Sequence, residues 1–229
     1  MGKTLTALDA MFLELEQLDE GALMSIGGVM VFDPLPGGGV PSVEEVCADL
    51  LARLGQLPRY SQKLSSTRTG RFAWPHWIDD EQFDIRDHVR HAALPAPCTD
   101  AQLCDWAADF YSHRLDRTRP LWEIAGRGPR ARPLGVGPQD TPLPLYAFGA
   151  PIREVYPLVP LAAEHAVGIA IFSYNGLVVF GIAADCDSTP DLAVLADGIE
   201  EGIEELLAMV PDRELPSTQA LPAEPAAIQ

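Results

Sequence analysis

The feature that most constrains this chain is an uncharged apolar stretch over residues 166–184. On length alone, this stretch could cross a bilayer as a helix. At its centre, however, stands Asn175-Gly176, a dipeptide that favours the two-residue turn of a β-hairpin, between flanks rich in Val, Ile and Phe. We therefore predict a β-hairpin over residues 167–184, inside a mixed sheet, and no membrane span.

Apolar residues at helical spacing predict four helices, at residues 4–16, 42–54, 100–113 and 190–209. The second begins with Ser42, and Glu45 three residues later completes a capping box. Asp100 is expected to cap the third, and the fourth carries an acidic face that we expect to be solvated. The second helix is expected to turn five apolar side chains inward: Val43, Val46, Leu50, Leu51 and Leu54.

Shorter apolar segments predict strands at residues 22–32, 71–78, 120–124, 145–150 and 155–161. Within the first of these, Gly27-Gly28 indicates that another backbone approaches closely. Residues 125–144 are rich in Pro and Gly without an apolar period, so we expect an irregular connector there. The Pro- and Ala-rich tail after Pro211 is expected to be disordered.

The charge balance bears on possible partners. With 16 Lys and Arg against 33 Asp and Glu, the net charge is −17, which argues against nucleic-acid binding and disfavours adhesion to an anionic membrane. Six arginines nevertheless lie between Arg114 and Arg132. They could grip a phosphate, or they could form a solvated loop with structural ion pairs, such as Arg117 with Asp116 or Glu123.

No motif of common catalytic chemistry stands out. The four cysteines form no CxxC pair, so we expect reduced thiols in a cytoplasmic protein, and no apolar run suits a signal peptide. His88 and His91, with Asp84 and Asp87 nearby, could hold a metal, but a surface or turn role fits the segment better, and we assign no metal site.

Several segments, read together, resemble the bacterial wax ester synthase/diacylglycerol acyltransferase family, which is abundant in mycobacteria and related actinobacteria. The most specific segment contains Pro120, Leu121 and Trp122, which are similar to a Pro-Leu-Trp motif of that family. The other segments occur in the family's order, at residues 5–12 (LTALDAMF), 27–32 (GGVMVF), 83–90 (FDIRDHVR) and 144–160.

The resemblance implies an α/β fold, a mixed β-sheet with flanking helices, as a truncated version of the CoA-dependent acyltransferase fold of chloramphenicol acetyltransferase. Residues 1–124 would form an N-terminal acyltransferase-like half-domain. Residues 125–144 would be the connector, 145–210 the C-terminal strands and helix of the family's second domain, and 211–229 the disordered tail.

The resemblance also implies acyl-CoA-dependent O-acyl transfer that makes triacylglycerol from diacylglycerol or wax ester from a long-chain alcohol. Acyl-CoA would be a co-substrate, and no bound cofactor is expected. The family's chemistry places such a protein in the cytoplasm, either free or at the periphery of a membrane or lipid droplet.

One departure from the family concerns the catalytic motif. Family members carry His-His-x-x-x-Asp-Gly after Pro-Leu-Trp, and the second histidine removes the proton of the acceptor hydroxyl. No two histidines are adjacent here, so no catalytic residue is assigned, and His113 is only a weak candidate. Two hypotheses follow: an acyltransferase that is weak or inactive alone, or a non-catalytic lipid- or partner-binding remnant, a pseudoenzyme or decayed gene product, that could self-associate through exposed apolar faces.

Overall fold

A computed structural model describes residues 4–19, 21–65, 75–92, 99–127, 145–161, 164–175 and 177–209. The helices of these residues are α1 (Ala7–Leu18), α2 (Val43–Leu54), α3 (Asp100–Tyr111) and α4 (Leu192–Met209). Their strands are β1 (Gly27–Phe32), β2 (Gln62–Leu64), β3 (Trp77–Asp79), β4 (Val89–Ala92), β5 (Ile124–Arg127), β6 (Tyr146–Ala147), β7 (Ala150–Leu158), β8 (Val167–Tyr174) and β9 (Leu177–Ala184). The predictions for residues 71–74, 128–144 and the tail after Pro211 lie outside the described residues.

The helices begin at side-chain caps that the sequence encodes locally. The predicted capping box of Ser42 and Glu45 is confirmed. The prediction that Asp100 caps α3 is wrong by one residue, because Thr99 and Gln102 form a reciprocal pair. The Thr99 hydroxyl accepts the Gln102 backbone N–H at 3.2 Å, and the Gln102 side-chain oxygen accepts the Thr99 backbone N–H at 2.8 Å.

The architecture is α/β, with parallel and antiparallel strand pairs and helices beside them. β1, β7 and β6 form an antiparallel sheet in the order β1-β7-β6, β2 pairs with β3 antiparallel, and β4 pairs with β5 parallel. The pairing of β1 with β7 crosses the predicted boundary between residues 1–124 and 145–210. The two predicted halves therefore share a sheet.

Other parts of the chain closely approach both adjacent glycines of β1, Gly27 and Gly28. A Cβ on Gly28 would lie only 2.7 Å from the Tyr156 carbonyl oxygen of β7, which confirms the predicted approach of another backbone. A Cβ on Gly27 would overlap the Tyr111 side chain, which comes from the end of α3. These glycines thus let β1 pack against both a strand and an aromatic ring.

The main buried cluster lies between α2 and the segment before β4. Cys47, Ile85 and Val89 form its centre. The prediction that Leu51 faces inward is wrong, because the inward stripe of α2 runs through Cys47 and leaves Leu51 half exposed. The partly buried residues packed on this centre are Val43, Val46, Leu50, Leu54, Phe83 and Trp122.

The predicted strand over residues 120–124 is also wrong, since β5 begins only at Ile124. The Trp122 backbone N–H donates to the Pro120 carbonyl oxygen at 2.9 Å, so these residues turn instead of extending. Residues 125–127, the start of the predicted connector, continue β5.

The predicted hairpin is confirmed. β8 and β9 pair in antiparallel register from Val167↔Ala184 to Tyr174↔Leu177, and Asn175 adopts a φ of 53° in the turn. The hairpin differs from the prediction in forming its own two-stranded sheet. It packs face-on against the end of β7, where a Cβ on Gly181 would overlap the Pro157 carbonyl oxygen.

The hairpin therefore has two different faces. One face contains Gly168 and Gly181 and meets the segment from β7 onward. On the other face, Ile169, Ile171 and Val178 are exposed to solvent. We call this second side the outer face of the hairpin. None of the helices described above is long and apolar enough to span a membrane.

Gly181 gives a direct test of the face-on packing. We expect Gly181→Ala to lower the free energy of unfolding by about 1–3 kcal/mol, the usual cost of overpacking, because the new methyl group must push β9 away from β7. The measurement is the midpoint of urea unfolding followed by circular dichroism.

The matched control is Gly202→Ala in α4, where a Cβ meets no atom within 4 Å. That substitution should be neutral or stabilising, since alanine favours helix over glycine. Equal stability of the Gly181→Ala and wild-type proteins would contradict the packing.

Candidate functional site

A cleft of about 450 Å³ opens between α1, the segment before β1, the end of α3 and the Pro-Leu-Trp segment. Leu5 and Phe12 of the first sequence motif line one side, and Leu121 and Trp122 line another. Further apolar walls come from Leu13, Met24, Ile26, Phe110 and Leu115. The fold thus brings two motifs more than a hundred residues apart to one mainly apolar site.

Two arginines hold α1 against the loop that follows α3. The Arg117 guanidinium donates to the Glu16 carboxylate at 2.7 Å and to the Leu13 carbonyl oxygen at 3.0 Å, and Arg114 donates to the Asp19 carbonyl oxygen. The last turn of α1 has no basic residue of its own. These guanidinium groups therefore supply the positive charge that stabilises a helix C-terminus.

The contacts of Arg114, Arg117 and Arg119 bear on whether the arginine cluster grips a phosphate or forms structural ion pairs. Arg117 forms a structural ion pair as predicted, but its partner is Glu16 and neither Asp116 nor Glu123. Arg119 lies 3.0 Å from Asp87. The structural ion pairs are favoured over a phosphate grip, because these guanidinium groups already bind acceptors of the protein.

The Pro-Leu-Trp segment is fixed from behind by His88, which is only 3% exposed. The His88 ring stacks on Trp122 and on Phe83, with ring centroids 4.5 and 5.4 Å apart. Its Nδ1 lies 2.8 Å from the Trp122 carbonyl oxygen, and its own carbonyl oxygen accepts the Ile124 N–H at 2.8 Å. Because a carbonyl can only accept, Nδ1 carries a proton.

His88 therefore has a structural role that the sequence analysis missed. The nearest signal was the pair of aromatic residues, Phe83 and Trp122, in two different motifs. His91 is exposed on β4, and the described part of the chain contains no group of three or more metal-ligating side chains. His88 is thus buried at the end of the turn of residues 85–87, and His91 is exposed on a strand.

The three residues of the Pro-Leu-Trp motif differ in their exposure to the cleft. Pro120 is buried, whereas Leu121 and Trp122 line the cleft. The Trp122 indole Nε1–H donates to the Tyr60 carbonyl oxygen at 2.7 Å, which fixes the plane of its ring. Residues 120–122 therefore shape an apolar wall and provide no group for proton transfer.

His113, the weak catalytic candidate, lies just beyond α3 and also lines the cleft. Its Nδ1 is 2.7 Å from the Asp109 carbonyl oxygen and 3.3 Å from the Ser112 hydroxyl. The carbonyl contact requires a proton on Nδ1, so the neutral ring carries its free lone pair on Nε2. Among the residues with assigned positions, none forms a hydrogen bond with that nitrogen.

Two further polar side chains of the cleft were not found from the sequence, Tyr111 and Ser25. The Tyr111 hydroxyl donates to the Gly28 carbonyl oxygen over a long 3.5 Å. Burial raises the pKa of Tyr111, partly offset by that hydrogen bond, so the hydroxyl keeps its proton at neutral pH. An apolar cleft with a few polar groups is typical of a small-molecule site.

Comparison with known protein families identifies both parts of the chain. Residues 5–125 match the wax ester synthase/diacylglycerol acyltransferase catalytic domain, and residues 136–207 match the WS/DGAT C-terminal domain. The first match ends at residue 125, three residues after Trp122 and one residue after the start of β5. The first match alone covers more than half of the 229 residues.

Individual relatives match about half of the chain. The chain is 41% identical over 120 residues to the "Probable diacyglycerol O-acyltransferase tgs3" of Mycobacterium tuberculosis, covering 52% of this chain and 42% of that protein. It is 39% identical over 120 residues to "Probable diacyglycerol O-acyltransferase tgs1" of the same species, covering 52% and 25%. The chain thus spans less than half the length of these relatives.

A solved wax ester synthase/diacylglycerol acyltransferase from Marinobacter aquaeolei VT8 is similar at 30% identity and a TM-score of 0.41, over 55% of this chain and 30% of that one. The family assignment rests on the two domain matches, which occur in family order along the sequence. The chain belongs to the wax ester synthase/diacylglycerol acyltransferase family.

Proposed function

We propose that this chain binds the long-chain acyl group of acyl-CoA and that, alone, it does not transfer this group to diacylglycerol or a long-chain alcohol. The single observation that supports acyl binding is the apolar cleft lined by Leu5, Phe12, Leu121 and Trp122. Its volume of about 450 Å³ is in the usual range for one small ligand.

The absence of transfer follows from the chemistry of the acceptor. An alcohol attacks a thioester slowly unless a base removes its proton, and such a base typically contributes about 10²- to 10⁴-fold in rate. The sequence contains no adjacent histidines. His113 reaches the cleft from the end of α3, whereas the family's motif follows the Pro-Leu-Trp segment.

A second candidate function is binding to another copy of this chain. The observation that favours it is the outer face of the hairpin, where Ile169, Ile171 and Val178 lie exposed on strands that carry no charge. Burying such a patch against its own copy brings no acidic side chains of the hairpin together. The same face could hold the protein at the periphery of a lipid droplet or membrane, where a net charge of −17 favours a neutral lipid surface.

Acyl binding is testable at the mouth of the cleft. Ile26 lines it and is 77% exposed, so Ile26→Asp should leave the fold intact. We expect this carboxylate to weaken the binding of palmitoyl-CoA about tenfold, or ~1.4 kcal/mol, because the acyl chain must approach a charge. The measurement is displacement of a fluorescent fatty acid.

Leu18→Asp is the matched control, because Leu18 is 85% exposed on α1 and does not line the cleft. Its affinity should equal that of the wild type. If both variants bind palmitoyl-CoA as tightly as the wild type, acyl binding does not occur in this cleft.

Acyl transfer is tested with labelled palmitoyl-CoA and either diacylglycerol or hexadecanol, followed by lipid separation. We expect no triacylglycerol or wax ester above the level made by heat-denatured protein, because the sequence lacks the adjacent histidines with which the family takes the proton of the acceptor hydroxyl. Labelled product that disappears in His113→Ala would refute this expectation and assign the transfer to His113.

Self-association is tested by light scattering during gel filtration over a range of protein concentrations. We expect the wild type to show a dimer that Ile171→Lys disrupts, since Ile171 is 63% exposed on the outer face. Leu57→Lys, at a residue 51% exposed after α2, is the control and should dimerise normally. A wild-type protein that stays monomeric at every concentration would disprove the interface.

A further inference from the structure

We infer that the cleft also hydrolyses acyl-CoA, with His113 as the base that activates water. This inference rests on the proposed acyl binding, which would place the thioester beside the histidine. It concerns an activity distinct from acyl transfer, because the attacking group is water and no acceptor alcohol is required.

Of the titratable side chains that line the cleft, His113 is the one best suited to accept a proton. The carboxylates that line the cleft are already engaged, since Asp9 accepts the Thr6 N–H at the start of α1, and Glu16 and Glu123 each bind an arginine. The His113 ring donates through Nδ1 to a backbone carbonyl, which leaves Nε2 as an acceptor. A neutral imidazole held in one tautomer is the usual general base of enzymes.

The position of His113 also suits a reaction with water. Its side chain is exposed, so solvent reaches Nε2, while the neighbouring walls of Phe110 and Leu115 are apolar. An acyl chain lying on those walls would bring its thioester carbonyl to the boundary between the apolar cleft and solvent. Water is abundant there, whereas a diacylglycerol would have to share the cleft of about 450 Å³ with the acyl chain.

The proposed step balances without a further reactant. Nε2 of His113 takes one proton from water as the water oxygen attacks the thioester carbonyl carbon. The tetrahedral intermediate then collapses, the carbon–sulfur bond breaks, and the imidazolium returns its proton to the departing thiolate. The products are a free fatty acid and the thiol form of coenzyme A.

The Tyr111 hydroxyl is the group of the cleft best suited to the developing oxyanion. Its existing hydrogen bond to the Gly28 carbonyl is long, so the hydroxyl can turn to a stronger acceptor at little cost. The raised pKa of Tyr111, caused by burial, keeps it a donor at neutral pH.

The experiment measures two quantities on the same purified proteins: thiol release from palmitoyl-CoA, detected with a disulfide dye, and palmitoyl-CoA binding, detected by displacement of a fluorescent fatty acid. The variant is His113→Gln, which keeps a polar side chain but cannot accept a proton. The matched control is His91→Gln, another exposed histidine, which lies on β4 outside the cleft.

We expect wild type and His91→Gln to release thiol above the buffer rate, and His113→Gln to be about 100-fold slower with unchanged binding. A smaller loss in Tyr111→Phe, again with unchanged binding, would support the oxyanion role. Hydrolysis by His113→Gln at the wild-type rate, or binding without hydrolysis in the wild type, would overturn the inference alone. A wild-type protein that does not bind palmitoyl-CoA would overturn the proposed function itself.

Discussion

The contact between His88 and Trp122 is the interaction on which the arrangement of the N-terminal part depends. It joins the buried cluster around Ile85 to the wall of the cleft, and the His88 carbonyl oxygen begins the pairing of β4 with β5 at Ile124. Removing one partner of a buried hydrogen bond leaves the other unsatisfied, which usually costs about 1–3 kcal/mol. A change at His88 would therefore disturb the core, the parallel strand pair and the cleft together.

Most parts of the fold that the sequence predicts correctly are encoded within a few residues. Ser42 and Glu45 lie three positions apart and cap each other, so no distant residue is needed to recognise them. The hairpin turn at Asn175 is equally local, because the residues that pair are neighbours in the chain. The family motifs are also short segments, and residues from several of them line the cleft.

The remaining features depend on which distant surfaces meet. The partner of Arg117 is Glu16 on α1, about a hundred residues earlier, although two acidic residues lie close by in the sequence. Cys47 is buried in place of Leu51 because the neighbouring segment, and not helical spacing alone, decides which stripe of α2 faces inward. The role of His88 follows from stacking between rings that belong to separate motifs. Such choices are tertiary, and no local propensity specifies them.

The pairing of β1 with β7 has a consequence for the length of the chain that connects them. The two strands pair from Gly27↔Leu158 to Phe32↔Ile152, with one shift of register between Val31 and Phe32. Glu154 at the centre of β7 is buried, and its carboxylate is bound by Tyr156 and Arg153. The entropy lost on closing a flexible loop grows only with the logarithm of its length, by about 0.6 kcal/mol for each doubling. A longer connection in place of residues 33–149 would therefore change the stability of this strand pair only slightly.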